Sequence, residues 1–297
     1  MTVHAINELW NLRCLTLDTL EMTESHSAEN IYNHLCNALS EWNIAEKTIA
    51  VVHDNAPNMV AAMRESSTAD IKIGQSVYCF CHSLQIVVEK AFNEKNFKKH
   101  LQKVSAVVGH FKHSYKATNA LKDAQKSYNL PKYCLISYCV TRWNSAYDMI
   151  EQLLIEQRQA VGSILLDPNF TNTAMSKKLL SSNLKWNYLK ALVRILKPFE
   201  VATTVMSSQS ESTIEMVRSA IHSMIDKFLK HDKNDSPKIR LFKEVFQEEL
   251  EARFLNEDCD PVSALTCFLD PRYQDMSYET LEYRESVQKK NFKDYAQ

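Results

Sequence analysis

Glycine is scarce in this chain, which has 3 glycines among 297 residues. Turns that need a positive φ rely on glycine, so long helices are favoured over a many-turned β fold. The length suits one large domain or two ordinary ones and allows a substantial core. The hydrophobic share of 45% and the charged share of 24% are typical of globular proteins. The net charge of −1 gives no evidence about a nucleic-acid partner.

Several features that would define a function class are also absent from the sequence. The 8 cysteines include no C-x-x-C pair, so no self-contained zinc finger is encoded. There is no signal peptide and no apolar run of membrane length, which predicts a reduced intracellular compartment and no membrane partner. There is no glycine-rich phosphate loop, no G-x-S-x-G and no H-E-x-x-H motif. No small-molecule substrate is predicted.

Strand and helix signals alternate through residues 1–92. Short apolar or β-branched stretches predict strands, and apolar residues three or four positions apart predict helices. Ser27 is a typical N-cap residue, and Pro57 suits a first helical turn. The predicted order is two strands, helix, strand, helix, strand, helix, which is an α/β arrangement. The predicted strands cover residues 1–6, 12–17, 48–52 and 77–81.

Residues 93–297 carry almost no strand signal and predict a large all-α domain. Apolar residues keep a helical period in four long stretches, and five prolines are predicted to interrupt the helices. The stretches are 104–111, 186–199, 214–228 and 241–254, and the prolines are Pro131, Pro198, Pro237, Pro261 and Pro271. The sequence therefore predicts two domains, with the boundary between residues 92 and 93.

Asp54 follows the third predicted strand and precedes a helix. At that end of a sheet strand, a carboxylate faces the crevice in which α/β folds bind ligands. Carboxylates are suitable ligands for Mg²⁺ or Mn²⁺, and two such ions can stabilise the attacking and leaving oxygens of a phosphoryl transfer. That chemistry needs at least two acidic residues. An Asp-Asn pair before a helix is also typical of a turn. Spacing alone favours the turn, and both interpretations stay open.

Cys79, Cys81 and His82 form a second group of candidate residues. Cysteine sulfur and histidine nitrogen at this spacing could bind zinc. A zinc site needs four ligands, however, and no second pair of Cys or His residues in the sequence has suitable spacing. A strand end with a buried thiol or two is therefore favoured. His82 is predicted to open a helix, where it could reach an anion.

Arg142 and Trp143 form the third candidate group, within the stretch Thr141-Arg142-Trp143-Asn144-Ser145. Arginine donates to phosphate in a rigid fork, and tryptophan can stack on an unpaired base. The alternative is the N-terminal boundary of a helix with a core tryptophan. Spacing alone favours that alternative.

Taken in order, six sequence blocks resemble those of the hAT-superfamily transposases, and most of all their domesticated relatives, the BED-type zinc-finger proteins. The likeness extends from residue 25 to residue 273, nearly the whole chain. The blocks are SHSAENI at 25–31, HDNAPNM at 53–59, CFCHSLQIVV at 79–88, TRWNSAYDMIEQLL at 141–154, LKPFEVAT at 196–203 and FLDPRY at 268–273.

The resemblance implies an α/β RNase H-like nuclease core followed by a large all-α insertion domain. The family's catalytic Asp, Asp and Glu hold divalent metal, Mg²⁺ or Mn²⁺, for DNA strand cleavage and transfer. Asp54 matches the second Asp. Cys79 and His82 match the family's C-x-x-H motif, whose His lies near the scissile phosphate. Arg142 and Trp143 match an Arg-Trp element that contacts transposon-end DNA.

The sequence also departs from the family pattern. Gln85 stands where the family usually has Asn, and no residue matches the family's first Asp or its catalytic Glu. We therefore expect a chain truncated at both ends, with an incomplete core that lacks its first central strand. Unpaired backbone groups beside that position should make the α/β part less stable than the helical part. With one acid of three, no strand transfer is expected.

By resemblance, the expected function is that of a nuclear, transposase-derived protein without catalysis. It would act through DNA association or through protein contacts related to transcription. One alternative is a piece of an active hAT transposase that performs metal-dependent DNA cleavage and strand transfer. Another is a protein-interaction scaffold without DNA contact. The family's dimerisation segment is not matched, so a monomer is expected.

Overall fold

The computed structural model describes residues 1–68, 73–153, 157–172, 176, 186–256 and 261–294, and most of these are helical. The strands are β1 (Thr2–Ile6), β2 (Leu12–Thr16), β3 (Ala50–His53) and β4 (Gln75–Tyr78). The α-helices are α1 (Ala28–Glu41), α2 (Pro57–Thr68), α3 (Phe80–Phe92), α4 (Lys95–His113), α5 (Tyr115–Ser127), α6 (Asn144–Glu151), α7 (Arg158–Leu166), α8 (Trp186–Met206), α9 (Val217–Met224), α10 (Pro237–Leu250), α11 (Pro261–Leu269) and α12 (Leu281–Asp294). Short 3₁₀ turns occupy Ala45–Lys47 and Ile214–Met216, and π-helical turns occupy Ile225–Leu229 and Glu251–Leu255. None of the helices in these ranges is both long enough and apolar enough to cross a bilayer.

The first two strands, both predicted from the sequence, pair as an antiparallel hairpin. Thr2 pairs with Thr16 and Ile6 pairs with Leu12. The turn is held by the Asn7 side chain, whose Oδ1 accepts the backbone N–H groups of Leu9 and Asn11 at 3.1 and 2.9 Å. Most residues of both strands are exposed, so little of the core depends on the hairpin.

β3 and β4 form a parallel pair connected through α2, and Gly74 allows them to approach. Gly74 has φ +80°, and a Cβ there would lie 2.8 Å from the Thr48 carbonyl oxygen and 3.0 Å from the Ala50 nitrogen. Both obstacles are backbone atoms, which cannot move aside as a side chain could. Glycine is therefore required where β4 begins.

Most predicted elements of the first 92 residues are confirmed, although several boundaries are displaced. The strand predicted from residue 48 begins at Ala50, and the strand predicted from residue 77 begins at Gln75. Ser27 caps α1 by accepting the Asn30 N–H at 3.3 Å, and Pro57 is the first residue of α2. The strand predicted through residue 81 instead ends at Tyr78. The Cys79 carbonyl accepts the Ser83 N–H at 2.9 Å, so the chain turns into α3 two residues earlier than its apolar pattern indicates.

Pro198 corrects a second expectation, because it lies inside α8 and does not end it. The apolar face of α8 continues on both sides of the proline. Tertiary packing therefore outweighs the lost backbone hydrogen bond, which is the usual cost of an internal proline. Pro237 and Pro261 behave as predicted and start helices.

The chain forms two compact units that interleave along the sequence. Unit 1 comprises Met1–Leu84, Thr203–Ser223 and Leu250–Gln297, and unit 2 comprises Gln85–Ala202 and Met224–Glu249. This grouping differs from the boundary predicted between residues 92 and 93. The segments Thr203–Ser223 and Leu250–Gln297 group with Met1–Leu84, although more than a hundred residues of sequence separate them from it. The local spacing of apolar residues does not reveal such long-range packing.

Each unit has an apolar core of its own. In unit 2, phenylalanine rings from four helices contact one another with centroid distances of 4.1–5.6 Å; they are Phe92, Phe97, Phe199, Phe242 and Phe246. In unit 1, α1 and α2 bury Cys36, Leu39 and Met63 together.

A buried ion pair connects the later segments of unit 1. The Arg218 side chain is 2% exposed and lies 2.6 Å from the Glu279 carboxylate. It also donates to the Phe254 carbonyl at 3.2 Å, and its guanidinium lies 4.4 Å from the centre of the Tyr283 ring. Burial alone would raise the pKa of Glu279, but His222 and Arg218 outweigh it and leave that pKa lowered.

We predict opposite effects for alanine at two of the glycines. Gly74→Ala should lower the free energy of unfolding by about 1–3 kcal/mol, because the residue has positive φ and no room for a Cβ. Gly162→Ala, inside α7 with open space around it, should raise that free energy by about 0.5–1 kcal/mol. Urea unfolding followed by circular dichroism measures both. Equal effects at the two positions would contradict the backbone approach described for Gly74.

We predict that Glu279→Gln lowers the free energy of unfolding by about 3 kcal/mol at pH 7, because it leaves the buried Arg218 without its counter-charge. The pKa of Glu279 is lowered in the folded state, so its contribution is present above the unfolded-state pKa and is lost as pH falls through the folded-state pKa. The difference between wild type and variant should therefore shrink below about pH 4. Glu282→Gln, at an exposed position on α12, is the control and should have little effect at either pH.

Candidate functional site

Asp54 lies directly after β3 and is exposed. Its Oδ1 accepts the Ala56 backbone N–H at 3.1 Å, which forms an Asx turn that leads into α2. The turn interpretation of Asp54 is therefore observed, while its role as a metal ligand stays a prediction. Within the described ranges, no three His, Cys, Asp or Glu side chains are gathered closely enough to hold a metal ion.

Cys79 joins β4 to α3 beside the end of β3. Its N–H donates to the His53 carbonyl at 2.8 Å, and its carbonyl accepts the first intrahelical hydrogen bond. The Asn55 amide donates to the Ser83 hydroxyl at 3.3 Å and ties the Asp54 turn to α3. The two sequence groups around Asp54 and Cys79 are thus brought to one edge of the parallel pair, as the strand order requires.

The two thiols at this edge differ in their electrostatics. A hydrogen bond from the Cys81 thiol lowers the pKa of Cys79 to about 5, against the opposing effect of burial. The backbone N–H groups of His82 and Cys81 and the charge of His82 act in the same direction. The same hydrogen bond, together with burial, raises the pKa of Cys81.

His82 occupies the first turn of α3 and is exposed. This is the position predicted from the sequence. The N-terminal end of a helix carries partial positive charge and unpaired N–H groups, so an anion is favoured there. His82 is placed where it could contact a phosphate, and that contact stays a prediction.

Trp143 is in the core of unit 2, where it is 2% exposed. The predicted stacking of its ring on an unpaired base does not fit this burial, because the ring is already covered by protein. Its indole N–H has no hydrogen-bond partner among the atoms of the described residues. The alternative interpretation of a core tryptophan at a helix boundary is the observed one, since α6 begins at Asn144.

Arg142, by contrast, is exposed in the turn that precedes α6. An isolated antiparallel β-bridge pairs Cys139 with Arg142. The Ser145 hydroxyl stabilises this turn through hydrogen bonds to both residues. That oxygen accepts the Cys139 N–H at 2.8 Å and lies 2.6 Å from the Arg142 carbonyl. The motif therefore has an anchor, Trp143, and a brace, Ser145, which together hold the backbone of Arg142 at the surface.

Gln85 has a role that the sequence did not reveal. Its side-chain oxygen accepts the Trp143 backbone N–H at 3.1 Å, and its amide donates to Glu89. Gln85 is the position at which the chain departs from the family's usual Asn. The hydrogen bond links the C-x-x-H block to the Arg-Trp block within unit 2, across 58 positions of sequence. No local pattern signals so long a connection.

Two family models match this chain in consecutive ranges. A model described as the ZBED1 RNase-like domain matches residues 1–73, and one described as the ZBED1 RNase-like helical domain matches residues 77–195. The chain belongs to the family of BED-type proteins derived from hAT transposases. The resemblance seen in the sequence blocks is thereby confirmed.

Individual relatives include both BED-type proteins and transposases. Human zinc finger BED domain-containing protein 4 is 29% identical over 203 residues, 67% of this chain and 16% of the relative. The putative AC transposase of Zea mays is 24% identical over 292 residues, 94% of this chain and 35% of the relative. The Hobo transposase of Drosophila melanogaster is 26% identical over 204 residues, 68% of this chain and 27% of the relative. These matches span about a third or less of the relatives' own length.

We predict that Gln85→Met lowers the free energy of unfolding by about 1–2 kcal/mol, because the variant keeps the side-chain volume but leaves the Trp143 N–H without its acceptor. Gln102→Met, at an exposed position of α4, is the matched control and should change stability by less than about 0.5 kcal/mol. Urea unfolding of both variants measures the difference. An equal effect at the two positions would show that the hydrogen bond contributes nothing.

Proposed function

We propose that this chain is a nuclear, transposase-derived protein that associates with DNA and does not cleave it. The observation that carries the proposal is the exposed Arg142 on a braced turn, in a chain that belongs to a transposase-derived family. Nuclear localisation and a part in transcription-related protein contacts are proposed from the family likeness. Protein partners are expected alongside DNA.

The geometry around Arg142 supports contact with a phosphate. The guanidinium has no carboxylate partner among the described residues, so it can pair with an incoming anion. It precedes α6, whose N-terminal end carries partial positive charge. A guanidinium fork and a helix N-terminus are both favourable phosphate ligands. Trp143 supports this contact as an anchor of the turn.

Catalysis is not proposed because, among the described residues, no three His, Cys, Asp or Glu side chains gather to hold a metal ion. Asp54 has one carboxylate oxygen engaged in its Asx turn. Metal-assisted phosphoryl transfer needs at least two carboxylates to hold its ions. Mg²⁺ or Mn²⁺ is therefore a cofactor only if strand cleavage is retained.

The proposed fold of unit 1 includes an RNase H-like core. A hairpin followed by a parallel βαβ pair supports this assignment, as does the RNase-like family model over residues 1–73. The edge formed by Asp54, Cys79 and His82 then corresponds to the nuclease face of that fold. The helical model over residues 77–195 supports an insertion of helices after the core strands.

We predict that the intact chain binds duplex DNA in a salt-dependent manner and that Arg142→Ala weakens the binding. Loss of one phosphate contact should reduce the slope of log K against log salt concentration by about 1. Arg240→Ala, which removes an exposed arginine of α10, is the control and should leave the slope unchanged. Fluorescence anisotropy at several salt concentrations measures both variants.

The same assay separates the proposal from its alternatives. Absence of DNA binding by the intact chain would favour an interaction scaffold. Cleavage of the DNA in Mg²⁺ or Mn²⁺, abolished by Asp54→Ala, would favour an active transposase instead. The second candidate is supported by the match to the Zea mays transposase, which covers 94% of this chain.

A further inference from the structure

The positive charge of this chain is concentrated in one stretch of unit 2. From Lys95 to Arg142 the sequence carries 10 lysine and arginine residues and a single acidic residue, Asp123. The whole chain has a net charge of −1, so the remaining residues taken together are acidic. The stretch covers α4, α5 and the turn that precedes α6, all within unit 2. Unit 2 therefore contains a strongly basic region that the overall charge conceals.

Carboxylates do not neutralise this region, although they neutralise lysines elsewhere in the chain. Ion pairs with nitrogen–oxygen distances of 2.7–3.6 Å are formed by Lys90, Lys197, Lys230, Lys243 and Lys289. In the part of the chain that the structure describes, none of the basic residues from Lys95 to Arg142 has such a partner. Their charge is therefore available to an external anion.

Helix α5 arranges part of this charge along one outward face. Lys122 and Lys126 follow Tyr115 by seven and eleven positions, which puts the three residues in line along the helix. All three are exposed, Tyr115 by 83%. The opposite side of the helix carries its buried residues, which are Ala117, Ala120, Leu121 and Gln125. Tyr115, Lys122 and Lys126 together are called the α5 basic face.

The spacing of Lys122 and Lys126 works against the stability of α5. Like charges at positions i and i+4 of a helix repel each other and destabilise it. The stability of the helix therefore does not explain the α5 basic face. A bound polyanion would remove the repulsion, and the release of its counterions would favour binding.

The chemistry of this face favours a nucleic-acid backbone over a protein or a membrane. Lysine is depleted in the cores of protein interfaces. A helix that lies on a membrane turns its apolar side to the lipid, whereas the apolar side of α5 packs against α4 and α7. Lysine ammonium groups and tyrosine hydroxyl groups both donate hydrogen bonds to phosphate oxygens.

We propose that the α5 basic face is a second surface for duplex DNA, which contacts the phosphate backbone and does not read the base sequence. Ammonium groups bind phosphates as point charges, and phosphate contacts carry no direct sequence information. The inference rests on the proposed association with DNA, but it does not involve Arg142.

The test is fluorescence anisotropy of the whole chain with two duplexes of equal length and unrelated sequence, at several salt concentrations. Replacing both lysines, Lys122→Gln with Lys126→Gln, should reduce the slope of log K against log salt concentration by about 2, because each phosphate contact contributes about 0.9. The reduction should be the same for both duplexes. A reduction with one duplex alone would contradict binding without sequence readout.

Two further variants show whether charge at this face is responsible. Lys122→Arg with Lys126→Arg keeps the charge and should retain the slope of the wild type. Lys227→Gln with Lys233→Gln removes two exposed lysines from another part of unit 2 and should also leave the slope unchanged. Circular dichroism confirms that each variant is folded. Equal slopes for the two glutamine variants would overturn the inference.

The outcomes separate this inference from the proposed contact of Arg142. Absence of DNA binding by the intact chain would overturn both. A slope that falls in Arg142→Ala but not in the glutamine variant of α5 would overturn this inference alone. The reverse pattern would support the α5 basic face and contradict the Arg142 contact. Phosphatidylserine vesicles test the other occupant, and lysine-dependent binding to them as tight as the binding to DNA would overturn the assignment to DNA.

Discussion

The buried guanidinium of Arg218 is the constraint on which much of unit 1 depends. An uncompensated charge at so buried a position is very costly, and Glu279 and the Phe254 carbonyl compensate it. Those partners come from segments more than 30 positions away in sequence. Their contacts fix the Glu251–Leu255 turn and the start of α9. Both of these elements also line a partly open pocket beside β3 and β4, through Val217, Arg253 and Phe254, so the shape of that pocket depends on the ion pair.

Glu215 is the centre of a second group of polar contacts in unit 1. The Cys267 thiol donates to its carbonyl at 2.9 Å, and Arg272 contacts its carboxylate at 3.1 Å. Asp270 in turn holds Arg272 at 2.7 Å. These last two residues belong to the FLDPRY block that carries part of the family likeness. In this chain the block serves to secure the 3₁₀ turn at Ile214–Met216.

The sequence predicted local features well and long-range features poorly. The strands β1 and β2, the Ser27 cap and the turn at Asp54 depend on neighbouring residues, so their patterns are visible in the chain. The displaced start of α3, the continuation of α8 through Pro198 and the interleaving of the units depend on packing between distant segments. His100 shows the same limit, since it directly follows Lys98 and Lys99, and such a run of basic residues is typical of a solvated helix face. It is nevertheless buried against Tyr188, with ring centres 4.8 Å apart.

The motif residues that suggested DNA contact divide into those that face solvent and those that support them. Arg142 and His82 are exposed, whereas Trp143 and Cys79 hold the backbone that presents them. Gln85 belongs to the supporting group, although it lies in a different block from the tryptophan it supports. Residue type and order alone do not separate the two groups, because the separation is made by burial.

The distribution of tryptophans makes the two units optically distinguishable. In unit 1, Trp10 is 86% exposed and Trp42 is 49% exposed, so both indoles already contact solvent in the folded state. In unit 2, Trp143 is fully enclosed and Trp186 lies under the Arg158 guanidinium at 4.8 Å. A red shift of intrinsic fluorescence during unfolding therefore reports mainly the opening of unit 2. Loss of unit 1 alone would leave the emission wavelength almost unmoved.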